Sequence, residues 1–164
     1  MKNQPLSKTK NRKLSGGFAG VPHIVLESEN WAQCSGMAVK LLMDLLSQFK
    51  GGNNGDLCAA LTVMGKKGWT RGQTISIAVR ELIHYGLIEM TRQGGLHRAS
   101  LYAVTWLAID FCKGKLDVPE TNLPSSLWKI TKSPFQRPIK KRLAAKRPMT
   151  KPKNGTNNNS QQTH

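Results

Sequence analysis

Residues 70–106 limit the folds open to this chain: a helical run stops at a glycine and gives way to a hairpin-like run. Ile75, Val79, Leu82 and Ile83 fall at i, i+4, i+7 and i+8, the spacing of one buried helix face, which predicts a helix over 70–85. Gly86 follows where a left-handed residue commonly closes a helix. The face turned away from the apolar stripe carries Arg71, Gln73, Thr74, Ser76, Ile77, Arg80 and His84. These are mostly short polar or basic groups, the kind that hydrogen-bond base edges and phosphates. Residues 87–92 then alternate loosely like a strand. Gln93-Gly94-Gly95 is a turn signal, and residues 101–106 are rich in strand formers.

Upstream, Met37, Ala38, Leu41, Leu42, Leu45 and Phe49 repeat at helical spacing behind Ser35, a good N-cap, so a core helix is predicted over 35–49. Gly51-Gly52-Asn53-Asn54-Gly55 breaks it. Residues 56–64 read as a short helix with Leu57, Ala60, Leu61 and Met64 inward, capped by Asn54 or Asp56. A Gly-containing turn at 65–69 joins it to the next helix, as in a helix-turn-helix unit. Lys66, Lys67 and Arg71 cluster at that turn, and Trp69 is expected to plug the core beneath it. His23-Ile24-Val25-Leu26 is a candidate first strand pairing with the hairpin, and residues 28–34 a helical turn with Trp31 inward.

Charge is distributed unevenly. The chain of 164 residues has 25 Lys and Arg against 9 Asp and Glu, a formal net charge of +16. Residues 1–13 hold five basic residues and no acid; residues 113–164 hold twelve basic residues against Asp117 and Glu120. Residues 14–112 hold eight basic and seven acidic, so a nearly neutral centre carries two strongly basic arms. Such arms favour polyanions as partners. Too little apolar surface lies in residues 1–20 to offset the entropy of ordering, and the tail beyond residue 129 is basic and punctuated by proline. Leu123, Leu127 and Trp128 are candidates to dock back onto the domain.

The chemistry-bearing residues do not converge in sequence. Cys34, Cys58 and Cys112 are odd in number and form no CxxC pair, so a reduced compartment is expected, with Cys34 and Cys58 as small buried hydrophobes. His23, His84, His97 and His164 are scattered, and no HExxH, P-loop or GxSxG motif occurs. Glu81 has no obvious partner. No enzyme activity, metal or cofactor is expected. No apolar run approaches the roughly 20 residues of a membrane span.

Thr74-Ile75-Ser76, Ala78-Val79, Glu81-Leu82 and Gly86-Leu87-Ile88 resemble the recognition-helix signature of winged helix-turn-helix proteins. Residues 91–95, running on to 101–106, are similar to small winged-helix proteins of bacterial mobile elements. The resemblance covers roughly residues 28–110. It implies an α+β winged helix-turn-helix fold: a three-helix core with a two- or three-stranded antiparallel sheet. The expected organisation is a disordered basic arm at 1–20, the domain at 21–112 and an extended, mostly disordered basic tail at 113–164.

It further implies that helix 70–85 lies in a DNA major groove and that a wing at 87–106 touches the adjacent backbone or minor groove. Arg71, Gln73, Thr74, Ser76, Ile77 and Arg80 would then contact bases. Lys66, Lys67, Thr70, Arg92, Gln93, His97 and Arg98 would contact phosphates or the neighbouring groove. Lys140, Lys141, Arg142, Lys146 and Arg147 would supply affinity from the tail. The expected partner is double-stranded DNA, with a homodimer left open, and the expected role is regulation or replication in a cytoplasmic, nucleoid-associated setting. RNA binding through the arms and a protein-interaction module are the alternatives. Neutralising roughly 5–8 phosphates gives a slope of log K against log salt of about −4 to −7.

Overall fold

Five helices and a three-stranded antiparallel sheet make up the described part of the chain, Phe18 and residues 20–138 of a computed structural model. The α+β expectation holds. The helices are α1 (His23–Leu26), α2 (Glu29–Ala32), α3 (Gly36–Leu46), α4 (Leu61–Met64) and α5 (Gly72–His84). The strands are β1 (Leu57–Cys58), β2 (Ile88–Arg92) and β3 (Leu101–Val104), in the order β1-β3-β2. Tyr102 sits between Leu57 on one side and Met90 on the other, and the register slips at a bulge between Met90 and Arg92. The expectations of disorder at residues 1–17 and 19 and in the tail from residue 139, with Lys140, Lys141, Arg142, Lys146 and Arg147, fall outside the described residues.

The core lies between α3, α5 and the sheet. Ala38, Leu41, Leu42, Leu45 and Leu46 of α3 meet Ile75, Ala78, Val79 and Leu82 of α5, with Leu57, Leu87, Ile88 and Val104 closing the sheet side. Ser35 caps α3 as expected, its Oγ accepting from the Ala38 N–H at 3.3 Å. Ile83, read as part of the buried stripe, is 37 % exposed, and its place inside is taken by Ala78 and Glu81. Glu81 does have a partner. Its carboxylate accepts from the Ser35 N–H at 2.6 Å and the Ser35 hydroxyl at 2.8 Å, bridging α5 to the N-terminal end of α3. Burial and this carboxylate together push the neighbouring Cys34 thiol up to about 12, so the thiolate needed for alkylation does not form at neutral pH.

Two segments depart from the pattern reading. His23–Leu26 is a helical turn, not a strand. The third strand is Leu57–Cys58, inside the segment read as a helix over 56–64; only Leu61–Met64 of that segment is helical, with Leu61 turned outward. Short apolar runs carry no decisive period. Gln48, just past the C-terminal end of α3, decides this one: its side-chain amide donates to the Cys58 carbonyl and accepts from the Cys58 N–H, both at 3.0 Å. Asn54 caps no helix. It is buried, with Nδ2 donating to the carbonyls of Val104, Leu107 and Ala108 at 3.0, 3.1 and 2.9 Å. Its Oδ1 accepts from the Val104 N–H at 2.8 Å, and its own N–H meets the Asp110 carboxylate at 2.6 Å.

Trp69 is buried beneath the turn before α5, as expected, and its indole N–H donates to Asp44 Oδ2 at 2.7 Å. Lys40 Nζ reaches the same oxygen at 2.6 Å and lies 4.7 Å from the Trp69 ring centre. Partial burial alone would raise the Asp44 carboxyl; hydrogen bonds from Lys40 and Trp69 overcome it and hold the group below its ordinary value of 3.8. A depressed carboxyl stabilises the fold above its unfolded-state pKa, and that contribution disappears as pH falls through the folded-state value. Asp44→Asn should therefore melt at a lower temperature than the unsubstituted chain at pH 7. In melts stepped down to about pH 2, the gap should close below the ordinary carboxyl range. A constant gap would show that charge is not what Asp44 contributes.

The packed unit runs past residue 112, where the domain was expected to end. Trp128 is buried in the main core, while Leu127 is partly exposed and Leu123 almost fully so. The Ser126 N–H donates to the Thr105 carbonyl at 2.8 Å. Gly86 closes α5 with φ +66°, and Leu127 packs directly on it. Beyond Trp128 the chain forms a strap held chiefly by side chains. The Asn30 amide, 1 % exposed, donates to the carbonyls of Trp128 and Ile130 at 2.9 and 2.8 Å, and its oxygen accepts from the Lys132 N–H at 2.9 Å.

Candidate nucleic-acid interface

Helix α5 presents two different sides because its apolar residues are spent on one of them. Opposite Ile75, Ala78 and Leu82, residues Gln73, Ile77, Arg80 and His84 fall at i, i+4, i+7 and i+11, with Ser76 alongside. Gln73, Ser76 and Arg80 are exposed; Ile77 and His84 are half-buried. Thr74 is also half-buried, toward the packed side. Arg71 and Thr70 are exposed but precede the helix, which starts at Gly72, later than expected; Arg71 is its extended N-cap residue. Gln73, Ser76, Ile77 and Arg80 thus share one side of the helix, with Thr74 at its margin and Arg71 exposed just before it.

Between this flank of α5 and the sheet runs a cleft of about 440 Å³. Ser76, Arg80, Gln93 and Ser100 give it polar edges, while Ile83, Met90 and Tyr102 are among its apolar walls. No carboxylate lines it, and Arg80 is its single charged residue. The three ion pairs among the described residues lie elsewhere: Lys40–Asp44, Arg98–Asp117 and Lys115–Asp56. Burial raises the Tyr102 phenol, opposed by a hydrogen bond with Ser100, so it remains a neutral hydroxyl. The contribution of Ser100, Met90 and Tyr102 was not picked out in the sequence, although Met90 and Tyr102 stand directly opposite each other on β2 and β3 and so share one sheet face.

The expected phosphate-contacting residues divide. At the turn, Lys66 and Thr70 are exposed, while Lys67 Nζ donates to the Ser47 hydroxyl at 2.6 Å. At the wing, Arg92 is turned to internal work: Nε and Nη2 donate to the Ala99 carbonyl at 3.2 and 2.9 Å, and Nη1 to the Lys115 carbonyl at 3.4 Å. Arg98 pairs with Asp117 at 2.9 Å, and the other oxygen of that carboxylate accepts from the Gln93 N–H at 2.8 Å. Asp117 thus fastens the loop end of the hairpin, and the pairing was missed because the acid lies beyond the strands it joins. The His97 and Gln93 side chains are exposed at the hairpin end.

Among the described residues no helix is long and apolar enough to cross a membrane, and no three His, Cys, Asp or Glu residues are grouped to hold a metal ion. Compared with known proteins, the chain matches no protein family, no curated protein and no solved structure.

Proposed function

We propose that this chain binds duplex DNA as a winged helix-turn-helix protein, reading bases with α5 and holding the backbone with the β2–β3 hairpin and the preceding turn. The order α3-β1-α4-α5-β2-β3, with β3 between β1 and β2, supports the architecture. One observation carries the function: the outward side of α5 is exposed over Gln73, Ser76 and Arg80, and no carboxylate lines the cleft beside it. A polyanion meets cationic and neutral donors there and nothing that repels it. Arg71 and Arg80 suit guanine O6 and N7, Gln73 suits adenine, and Ile77 suits a thymine methyl. Lys66, Thr70, Gln93 and His97 are left to meet phosphates. Arg92 and Arg98 shape the wing instead. In a bacterial mobile element such a protein would serve transcription control or replication.

Selection of bound duplexes from a random DNA pool tests this. The expected outcome is an enriched motif of about 6–12 base pairs, with two half-sites about 10 base pairs apart if the chain binds as a homodimer. Gln73→Ala or Arg80→Ala should each weaken the enriched duplex by about 1–3 kcal/mol and relax preference at one position. Absence of enrichment, or equal retention of structured RNA in competition, would overturn the reading.

A further inference from the structure

The tip of the β2–β3 hairpin ends in an apolar side chain left in water. Leu96 is 93 % exposed, the most open of the large apolar side chains among the described residues. A lone apolar side chain on a surface is ordinary. This one is held out on a braced projection. The Gly95 N–H donates to the Arg98 carbonyl at 2.8 Å and the Arg98 N–H to the Gly95 carbonyl at 3.3 Å, so only Leu96 and His97 lie beyond the closure. Just below it, the Gly94 N–H donates to the Ser100 hydroxyl at 3.0 Å, and a Cβ on Gly94 would stand 2.7 Å from the Ser100 nitrogen. Arg92 on Ala99, and Asp117 on Arg98 and Gln93, tie the same few residues.

Gln93 and Ser100, where the hairpin narrows to this tip, line the same cleft as Ser76 and Arg80 of α5. Leu96 is three residues past Gln93, a span of at most roughly 10 Å. The tip therefore stands close to the rim of the cleft beside the proposed reading face. With a helix in the major groove, the next minor groove lies half a turn away, roughly 17 Å. That groove is roughly 6 Å wide and takes single side chains, not a helix. His97 and Arg98 follow Leu96, and residues 93–100 contain no acid. Asp117, the acid that meets this end of the hairpin, is taken up by Arg98 and Gln93.

We infer that Leu96 is a wedge: it enters the minor groove beside the major groove read by α5, parts one base step and bends the duplex. The inference rests on the duplex-binding reading and adds to it a contact that charge does not make. An apolar side chain driven between two base pairs leaves water at the cost of partly unstacking them, and kinks a duplex by about 20–90° toward the major groove. A slack tip would fold back rather than part a stack, so the closure at Gly95 and Arg98 and the ties below it serve the same end. Pyrimidine–purine steps unstack most easily, so sequence preference arises there without a hydrogen bond to any base.

The test uses the full chain and a short linear duplex carrying the motif enriched from the random pool, dye-labelled at both ends so that energy transfer reports bending. A TA step is placed at successive positions of an otherwise A-tract flank. The unaltered chain should bring the duplex ends together and bind roughly 3–10-fold more tightly when the TA step occupies one particular position. Leu96→Ala should leave the duplex straight and bind all versions alike, with an unchanged salt slope because no phosphate contact is lost. Leu96→Met, still long and apolar, should restore the bend. An unaltered chain that binds without bending, or a Leu96→Ala chain that bends as much, would overturn the wedge while leaving duplex binding standing. So would a Leu96→Ala chain whose only change is lost cooperativity between two half-sites, since Leu96 would then join copies of the protein. Failure of the unaltered chain to enrich any duplex would overturn both.

Discussion

Asn54→Ala should lower unfolding stability by about 3–5 kcal/mol, the largest loss expected of any single substitution at a polar position in this fold. Asn54 is 1 % exposed and ties the loop before β1 to the end of β3. Alanine would strand the Val104 N–H and withdraw the donor shared by the carbonyls of Val104, Leu107 and Ala108. Each buried group left unpaired costs about 1–3 kcal/mol, and some will recover water. Asn54→Asp should be worse at neutral pH: one oxygen still serves Val104, but the other faces three carbonyls, with the Asp110 carboxylate also close by. Urea unfolding measures both. A loss under 1 kcal/mol for alanine would mean that these partners find others, and that the loop is not fixed by this side chain.

Gly86→Ala should cost about 2–4 kcal/mol and dislodge the strap rather than the helix it closes. The residue has φ +66°, and a Cβ there would stand 2.6 Å from the backbone carbon and oxygen of Leu127. Asparagine, often tolerated in the left-handed region, would meet the same obstruction, so Gly86→Asn should not rescue. Trp128 adjoins Leu127 and is buried, so its fluorescence should shift toward that of a hydrated indole in the Gly86→Ala chain. The losses from Gly86→Ala and Trp128→Ala should be less than additive, since the first already displaces the second. Full additivity would show that the clash is relieved without moving the strap.

How much of this was legible depended on the distance between partners. Helices α3 and α5, the Ser35 cap, the Gly86 stop and the β2–β3 hairpin announce themselves through period and turn chemistry, which act within a few residues. Strand β1 is two residues long, too short to show alternation, and owes its conformation to Gln48. Asn54 looked like a residue of a helix-breaking loop and a candidate cap, and Asn30 like part of a helical turn. Their roles arise from carbonyls about 50 and 100 positions away, which no local window contains. The same holds at the proposed interface. The outward side of α5 followed from the apolar stripe, whereas Arg92 and Arg98 looked available until Ala99, Lys115 and Asp117 came into contact with them. Trp128 gave a compositional hint only, and its anchorage moves the end of the folded unit well beyond the boundary suggested by proline content.

The amide of Gln48 has a consequence for self-association. By occupying both the N–H and the carbonyl of Cys58, it stands in for a fourth strand, so nothing can template onto β1 at that residue. At the opposite border the Asp117 N–H already occupies the Thr91 carbonyl at 2.9 Å. Strand addition by another molecule at either of these residues would first have to displace the Gln48 amide from Cys58 or the Asp117 N–H from Thr91.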